Sequence, residues 1–562
     1  MGYMDKYREW LEDEYFDEDT KEELRSITDK GEIEDRFYTD LKFGTAGLRG
    51  KIGAGTNRMN IYTVALATQG LAQTIVNRGQ EAMDRGVAIA YDVRQYSDVF
   101  SEIAARVLAA NGIKTYLFDG IRPTPVLSFT VRRLNTISGI VVTASHNPRE
   151  YNGYKVYWED GSQILDEIAD EILAEIANIE TYSQIEMMDL DEAVEKGLIV
   201  YIGKEIDDEY NQKILDGAIN EDIDKDIKVV YTPLNGTGNI PVRRVLRERG
   251  FTNIVVVPEQ ENPDYKFTTV GYPNPEDPKA FDYALKLGKE VDADILVATD
   301  PDADRIAMVA KDSEGEYIFF NGNQTGALLV NYILSARKAN GTLPGNAAIV
   351  KSIVTGDLGR AIAEKYGVDT FETLTGFKFI CAKANEWEET KEHTFIFGYE
   401  ESIGYTYGTL VRDKDAVVSS MLIIEMAAYY KKQGKNMVQV LEDIYSEFGY
   451  YSEKLISIVL EGVEGSKRIS RMMEEFRANP LETIEDMKLE RTIDYLLDDT
   501  GNSKSNVLKY YLSDGSWYAV RPSGTEPKIK IYIYSKAEDM EESKRKIAAI
   551  EENVTKKLYS IE

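Results

Sequence analysis

Short apolar runs separated by polar, helically spaced stretches dominate this chain from Val87 onward. Val87 to Tyr91 reads as a buried strand, Val99 to Ala110 as a helix, Ile113 to Phe118 as a strand and Ser138 to Val142 as another. The pattern returns with Ile227 to Tyr231, helical Val242 to Arg249, Ile254 to Val257 and the apolar run Ala293 to Ala298. It returns again with Ala347 to Val350, helical Leu358 to Tyr366, the run Thr394 to Phe397 and a long helical stretch, Ala416 to Lys432. Strands alternating with helices predict α/β units, so the chain is read as three similar mixed α/β domains. From about Gly449 the character changes: strands such as Leu455 to Leu460 and Ile529 to Tyr534, then helical Glu541 to Leu558, predict a smaller C-terminal α+β domain. Met1 to Asp40 is charged and helix-like, and acidic helical Asp166 to Ile179 followed by polar sequence to about Tyr201 marks a first boundary. The limits drawn are 1–200, 201–320, 321–445 and 446–562.

Several of the apolar runs stop abruptly in polar residues, and strand ends are where α/β sheets keep their chemistry. Ser138 to Val142 leads into Thr143-Ala144-Ser145-His146-Asn147-Pro148, bringing a hydroxyl and one of the chain's 2 histidines to such an end. Ala293 to Ala298 leads into Asp300-Pro301-Asp302-Ala303-Asp304-Arg305, three carboxylates at alternate positions, a set suited to a hard cation such as Mg²⁺. Alternate Cα atoms of an extended chain lie about 6.6 Å apart, too far to converge on one ion, so this loop must curl. A calcium EF-hand is excluded: its sixth place needs glycine and its twelfth glutamate, and here they are Arg305 and Lys311. The plain alternative is a solvated acidic turn; an apolar strand running straight into the carboxylates argues against it. Thr394 to Phe397 leads into Tyr399-Glu400-Glu401-Ser402, acceptors and a donor for sugar hydroxyls. Val520-Arg521-Pro522-Ser523-Gly524-Thr525 has the composition of a phosphate cradle on a turn between strands.

In this order and spacing the segments resemble the α-D-phosphohexomutase superfamily, which includes phosphoglucomutases and phosphomannomutases. Gly44-Thr45-Ala46-Gly47-Leu48-Arg49-Gly50 is similar to its opening substrate loop, and Thr375-Gly376-Phe377-Lys378 and Arg412-Asp413-Lys414-Asp415 to its further substrate contacts. The resemblance covers about Phe43 to Tyr534 and implies four domains around a central cleft. It also implies that Ser145 is a phosphorylated nucleophile, that Asp300, Asp302 and Asp304 hold Mg²⁺ together with a Ser145 phosphate oxygen, and that His146 and Lys155 handle protons. Thr45, Arg49, Arg305, Thr375, Lys378, Glu400, Ser402 and Lys414 would contact substrate, and Arg521, Ser523, Gly524 and Thr525 would clamp its second phosphate. Lys155 has a plainer reading as a lysine snorkelling over Tyr154 and Tyr157, and His393 lies outside every motif. The expected reaction is reversible interconversion of glucose 1-phosphate and glucose 6-phosphate through a bisphosphate such as glucose 1,6-bisphosphate. Pentose phosphates rank second and mannose phosphates third. Two readings of another class are a metal-dependent sugar phosphatase, which needs no second phosphate clamp, and a non-catalytic binding relative, which would be expected to lose the serine or an aspartate.

Charge adds one point. The 562-residue chain has a net charge of −31, yet its motifs carry Arg49, Lys155, Arg305, Lys378, Arg412, Lys414, Arg521 and Lys528. That local reversal of sign suits phosphorylated small molecules, while the overall acidity disfavours nucleic acid and anionic membrane as partners. With 1 cysteine, Cys381, there can be no internal disulfide, and no apolar stretch reaches the ~20 residues of a membrane helix. A cytoplasmic protein, monomeric or homodimeric, is the resulting expectation.

Overall fold

In a computed structural model, residues 2–44, 47–460, 462–523 and 528–561 are described. Four sheets follow one another along the chain. The first has six strands in the order Leu48–Lys51, Tyr151–Trp158, Ser138–Val142, Val87–Tyr91, Thr115–Phe118 and Ile199–Ile202. The second has five, with Ile295–Thr299 and Val229–Thr232 at its centre, and the third has four, with Ala347–Ser352 and Thr394–Glu400 at its centre. The fourth has six strands, all antiparallel, from Tyr450–Val459 to Thr483–Ile484.

The first three sheets share one construction. Each has a parallel core: Val87–Tyr91 beside Ser138–Val142, Val229–Thr232 beside Ile295–Thr299, and Ala347–Ser352 beside Thr394–Glu400. The last parallel strand then turns straight back into an antiparallel neighbour, Tyr151–Trp158, Ile306–Lys311 or Gly404–Tyr407 respectively. Every residue of Ser138–Val142 and of Ile295–Thr299 is buried, as expected of central strands covered on both faces. The serine, metal and sugar segments are the turns of these three returns. In the fourth sheet, Trp517–Pro522 and Lys528–Ala537 flank the phosphate segment in the same way. The returning strands escape a reading based on alternating parallel units. Tyr151–Trp158 in particular mixes aromatic, amide and lysine residues and shows no simple apolar run, yet its six inner residues are buried.

Helix Ala416–Lys432 explains how the second and third sheets become one body. Its first thirteen residues are all buried, and it packs against Ile295–Thr299, Ile306–Lys311 and Gly404–Tyr407. A helix apolar all round belongs inside, and this one lies between two domains. Asp415 caps it, its carboxylate accepting from the N–H groups of Val417 and Val418. The three N-terminal helices, Tyr3–Glu12, Glu18–Ser26 and Lys30–Phe37, gather Trp10, Phe16 and Phe37 around Tyr62 of the first domain. No helix among the described residues is long and apolar enough to cross a membrane.

Candidate active site

Ser145 is held by its backbone. Its φ of 52° lies in the left-handed region, costly for a residue with a Cβ and tolerated where the surroundings over-determine it. Here they do. Thr143 Oγ1 accepts from Ser145 N–H (2.8 Å) and donates to Asp92 (2.6 Å). The buried Arg94 guanidinium donates to the carbonyls of Ser145 (2.6 Å), Pro148 (3.0 Å) and Tyr151 (3.0 Å), and also to that of Asn147. Asp92, 3.4 Å from Arg94, is its only carboxylate partner among the described residues, and both side chains are fully buried. Arg94→Met would strand that carboxylate, so a loss of about 3 kcal/mol is expected, read as a lower Tm, together with reduced kcat from a loosened serine loop.

The Ser145 hydroxyl lies 2.8 Å from Asp300 Oδ2 and 3.1 Å from His146 Nδ1. Burial, then the charges of Arg305 and Arg49, hold the imidazole well below its ordinary pKa, so it is neutral at pH 7. Asp300, Asp302 and Asp304 occupy the turn between Ile295–Thr299 and Ile306–Lys311, and the turn does curl, with Ala303 at φ 50°. One oxygen from each carboxylate falls within 4.8 Å of the others, and all three residues are buried. Burial, then repulsion from Asp302 and Asp304, pushes the Asp300 pKa well up, because three desolvated carboxylates in so small a space cannot all ionise uncompensated. Asp302 goes the other way: burial raises it, but Lys155 at 2.9 Å and Thr124 Oγ1 at 2.8 Å hold it ionised. Asp302 Oδ1 and Asp304 Oδ1 are buried without a hydrogen-bond partner. Orphaned oxygens in an all-oxygen set are the donors a divalent cation requires, and the triad fits one.

Other segments converge on the same turn. Lys155 stands 3.6 Å and Lys414 3.2 Å from Asp304. The metal and sugar segments share main-chain contacts: Arg305 bridges Gly404, Ile306 N–H donates to the Ile403 carbonyl (3.2 Å), and Arg305 reaches the Ser402 carbonyl (3.4 Å). A Cβ on Gly404 would lie 2.2 Å from Lys414 Cδ, so this position must be glycine for the lysine to pass. Glu400 is buried and accepts from Gly376 N–H (2.8 Å); burial and then Glu401 raise its pKa. Thr375 Oγ1 is buried without a partner, while Arg49 donates to Asn147 of the serine loop (3.4 Å). Gly44 and Gly47 exchange two backbone hydrogen bonds, 3.2 and 2.7 Å, pinning the base of the opening loop. A Cβ on Gly47 would fall 1.8 Å from the Tyr154 carbonyl oxygen, and its φ of +73° also suits glycine.

Not every expected residue joins this cluster. Lys378 lies over the Phe379 ring (5.1 Å), with Asp166 the charge it feels most. Arg412 corrects the expectation of a cleft cation: it is fully buried and spends its donors on Asn385 and the Thr409 and Val411 carbonyls, and pairs with Glu388. Arg521 is paired in register with Lys530 and interacts with Tyr532, whose hydroxyl also feels Glu401 and Glu400. Ser523 N–H donates to the Lys528 carbonyl (2.8 Å). Thr45, Gly524 and Thr525 lie outside the described residues. His393 packs, partly exposed, between Phe371 and Trp387.

Sequence reasoning missed Asp92 and Arg94, although they too follow an apolar strand, Val87–Tyr91, that ends abruptly in charge. Asp413, named only as part of its motif, ties Tyr157 (2.6 Å) to Lys414 (3.1 Å). Tyr272 was missed as well: its ring meets His146 edge-on at 6.1 Å.

The hairpin turns of the first two domains thus bring a serine and a buried acidic triad together. Domain profiles described as phosphoglucomutase/phosphomannomutase, alpha/beta/alpha domains I, II and III, match residues 40–183, 208–315 and 321–448, and the C-terminal domain of the same description matches 470–552. The chain belongs to the phosphoglucomutase/phosphomannomutase family. It is 38% identical over 545 residues to a phosphoglucomutase of Staphylococcus epidermidis, covering 95% of this chain and 96% of that one. A phosphoglucomutase of Staphylococcus aureus is 38% identical over 540 residues, covering 93% and 94%. Among solved structures, a putative phosphomannomutase from Thermus thermophilus superposes with a TM-score of 0.69 at 22% identity, over 92% of this chain and 99% of that one. Paramecium parafusin, a phosphoglucomutase in an open form, has the same fold, with a TM-score of 0.69 at 18% identity, over 93% and 95%.

Proposed function

We propose that this enzyme interconverts glucose 1-phosphate and glucose 6-phosphate through a phosphoserine at Ser145. The observation that carries the reading is the Ser145 hydroxyl hydrogen-bonded to a member of the acidic triad, in a pocket whose sugar segment shares main-chain bonds with the metal segment. The choice of glucose rests on the phosphoglucomutases that match nearly the whole chain.

Phosphoryl transfer has a loose transition state, so the protein's work is positioning and charge balance. The phosphoryl group leaves Ser145 Oγ for the free hydroxyl of a sugar monophosphate, giving a bisphosphate such as glucose 1,6-bisphosphate. The other phosphate of that bisphosphate then returns to Oγ. The hydroxyl proton released in the first transfer needs an acceptor, and neutral His146, 3.1 Å from Oγ, is an uncharged base beside the transfer. Lys155 and Lys414, both beside Asp304, and Arg305 supply positive charge to the transferring group. Glu400 and Ser402 face the ring hydroxyls, and Arg521, Ser523, Gly524 and Thr525 take the distal phosphate, with Thr45, Arg49, Thr375 and Lys378 as further contacts. Mg²⁺, bound by Asp300, Asp302 and Asp304 with a Ser145 phosphate oxygen, would neutralise and polarise the phosphoryl oxygens. The single, buried Cys381 suits a reducing compartment, and we assign a cytoplasmic enzyme, monomeric or homodimeric.

A kcat/KM panel over glucose, ribose, deoxyribose and mannose phosphates tests the substrate. Glucose phosphates are expected to lead; a preference for pentose phosphates by more than about tenfold overturns the assignment.

A further inference from the structure

Behind the segment that delivers Lys414 lies a second cavity of about 640 Å³, a size common for small-molecule sites. Of the segments assigned above it touches only Asp415. Three units build it: Arg132 from helix Thr124–Leu134, Lys213 from helix Lys204–Asp216 and Arg337 from helix Gly322–Ala339, with residues 408–411 along one side.

Its charge is unusual for a chain of net charge −31. Arg132 and the buried Arg412 share one carboxylate, Glu388. Burial and then the nearby Arg412 charge depress the Arg132 pKa, the mark of a cation held among cations. Neither Lys213 nor Arg337 forms an ion pair among the described residues; Arg337 donates to the Thr342 carbonyl (2.8 Å). The lining carboxylates are engaged: Glu388 as above, Asp216 with Gln212 (2.9 Å), and Asp415 with Tyr210 and the helix cap. Each of the three cations occupies the last turn of its helix, where one positive charge offsets the macrodipole. That accounts for one cation per helix end; it does not account for two guanidiniums on one carboxylate beside two further cations that have no ion pair among the described residues.

We infer that this cavity binds a small phosphate-bearing anion and that its occupation bears on the catalytic loop. Arginine forks and a free ammonium are the donors that recognise phosphate. The route to the site is short. Arg132 donates to the Thr409 and Leu410 carbonyls, and three residues further on the same segment presents Asp413 and Lys414, the latter 3.2 Å from Asp304. An anion drawing Arg132 away from those carbonyls shifts the base of that segment.

The test uses the full-length enzyme at fixed free Mg²⁺, titrated calorimetrically with inorganic phosphate in one arm and adenosine 5′-monophosphate in the other, wild type against variants that lie outside the cleft. Lys213→Ala removes no hydrogen bond among the described residues and guards against misfolding; Lys213→Ala/Arg337→Ala is the stronger variant. The expected result is a binding isotherm distinct from the cleft, weakened about tenfold by Lys213→Ala and further by the double variant. A change of about threefold in kcat, present in the wild type and absent from the double variant, should accompany it. Tighter binding of the nucleotide than of phosphate would identify a larger metabolite, and equal binding would identify phosphate itself. Absence of the isotherm, its survival in the double variant, or binding without any effect on kcat overturns the inference. Calorimetry reads binding whatever sugar the enzyme prefers, so this result and the glucose assignment fail separately.

Discussion

Ser145→Ala is expected to reduce mutase turnover by roughly 10⁴-fold or more, the scale on which removal of a covalent nucleophile acts. The variant should fold. Thr143 and Arg94, backed by Asp92, hold the backbone of residue 145 and not its hydroxyl, and alanine accepts the left-handed conformation no worse than serine. The discriminating measurement is intact mass with site mapping after incubation with glucose 1,6-bisphosphate. Wild-type protein should carry a phosphoryl group on Ser145 and the variant none anywhere. A variant that keeps full turnover would remove Ser145 from the reaction, and a metal-dependent phosphatase would betray itself by releasing phosphate without forming an isomer.

The second large effect concerns the triad. Chelation should abolish turnover, and restoring a divalent cation at about 100 times its dissociation constant should raise folding stability by about 2.7 kcal/mol, visible as a higher Tm. The stabilisation is expected because the cation relieves a repulsion already present in the fold: three buried carboxylates, two of them with orphaned oxygens. Asp302→Ala should lose the Tm response and the activity together. It would leave Lys155 still near Asp304 at 3.6 Å, so the lysine retains a partner and the variant has reason to fold. A Tm that ignores divalent cations in the wild type would show that the triad is an ordinary acidic turn.

Much of this was legible in the chain. The run Ser138 to Val142 is a strand with those same ends, and the aspartates do fold into a curled turn directly after a buried strand, as the spacing required. The family resemblance, carried by motifs in order, agrees with the domain profiles. The illegible part is of one physical kind: contacts between segments distant in sequence. Nothing local to Arg94 says that its donors will close on carbonyls more than fifty residues away. Nothing local to Arg412 says that it turns inward to Glu388 while Lys414, two residues on, turns to Asp304. Charge in a motif was read as charge in a cleft, and burial decided otherwise. The antiparallel returns were also missed, because a hairpin strand next to a parallel core need not carry a continuous apolar run.

The ladder between Arg305 and Gly404 has one more consequence. On the proposed function, the segment that grips the ring and the one that grips the reacting phosphate are bonded backbone to backbone, further riveted by the Ala416 N–H to the Ala303 carbonyl at 3.1 Å. Main-chain bonds of this kind resist swivelling one jaw against the other. When the opposite end of a doubly phosphorylated sugar must be offered to the serine, the small molecule itself has to flip end over end between fixed walls.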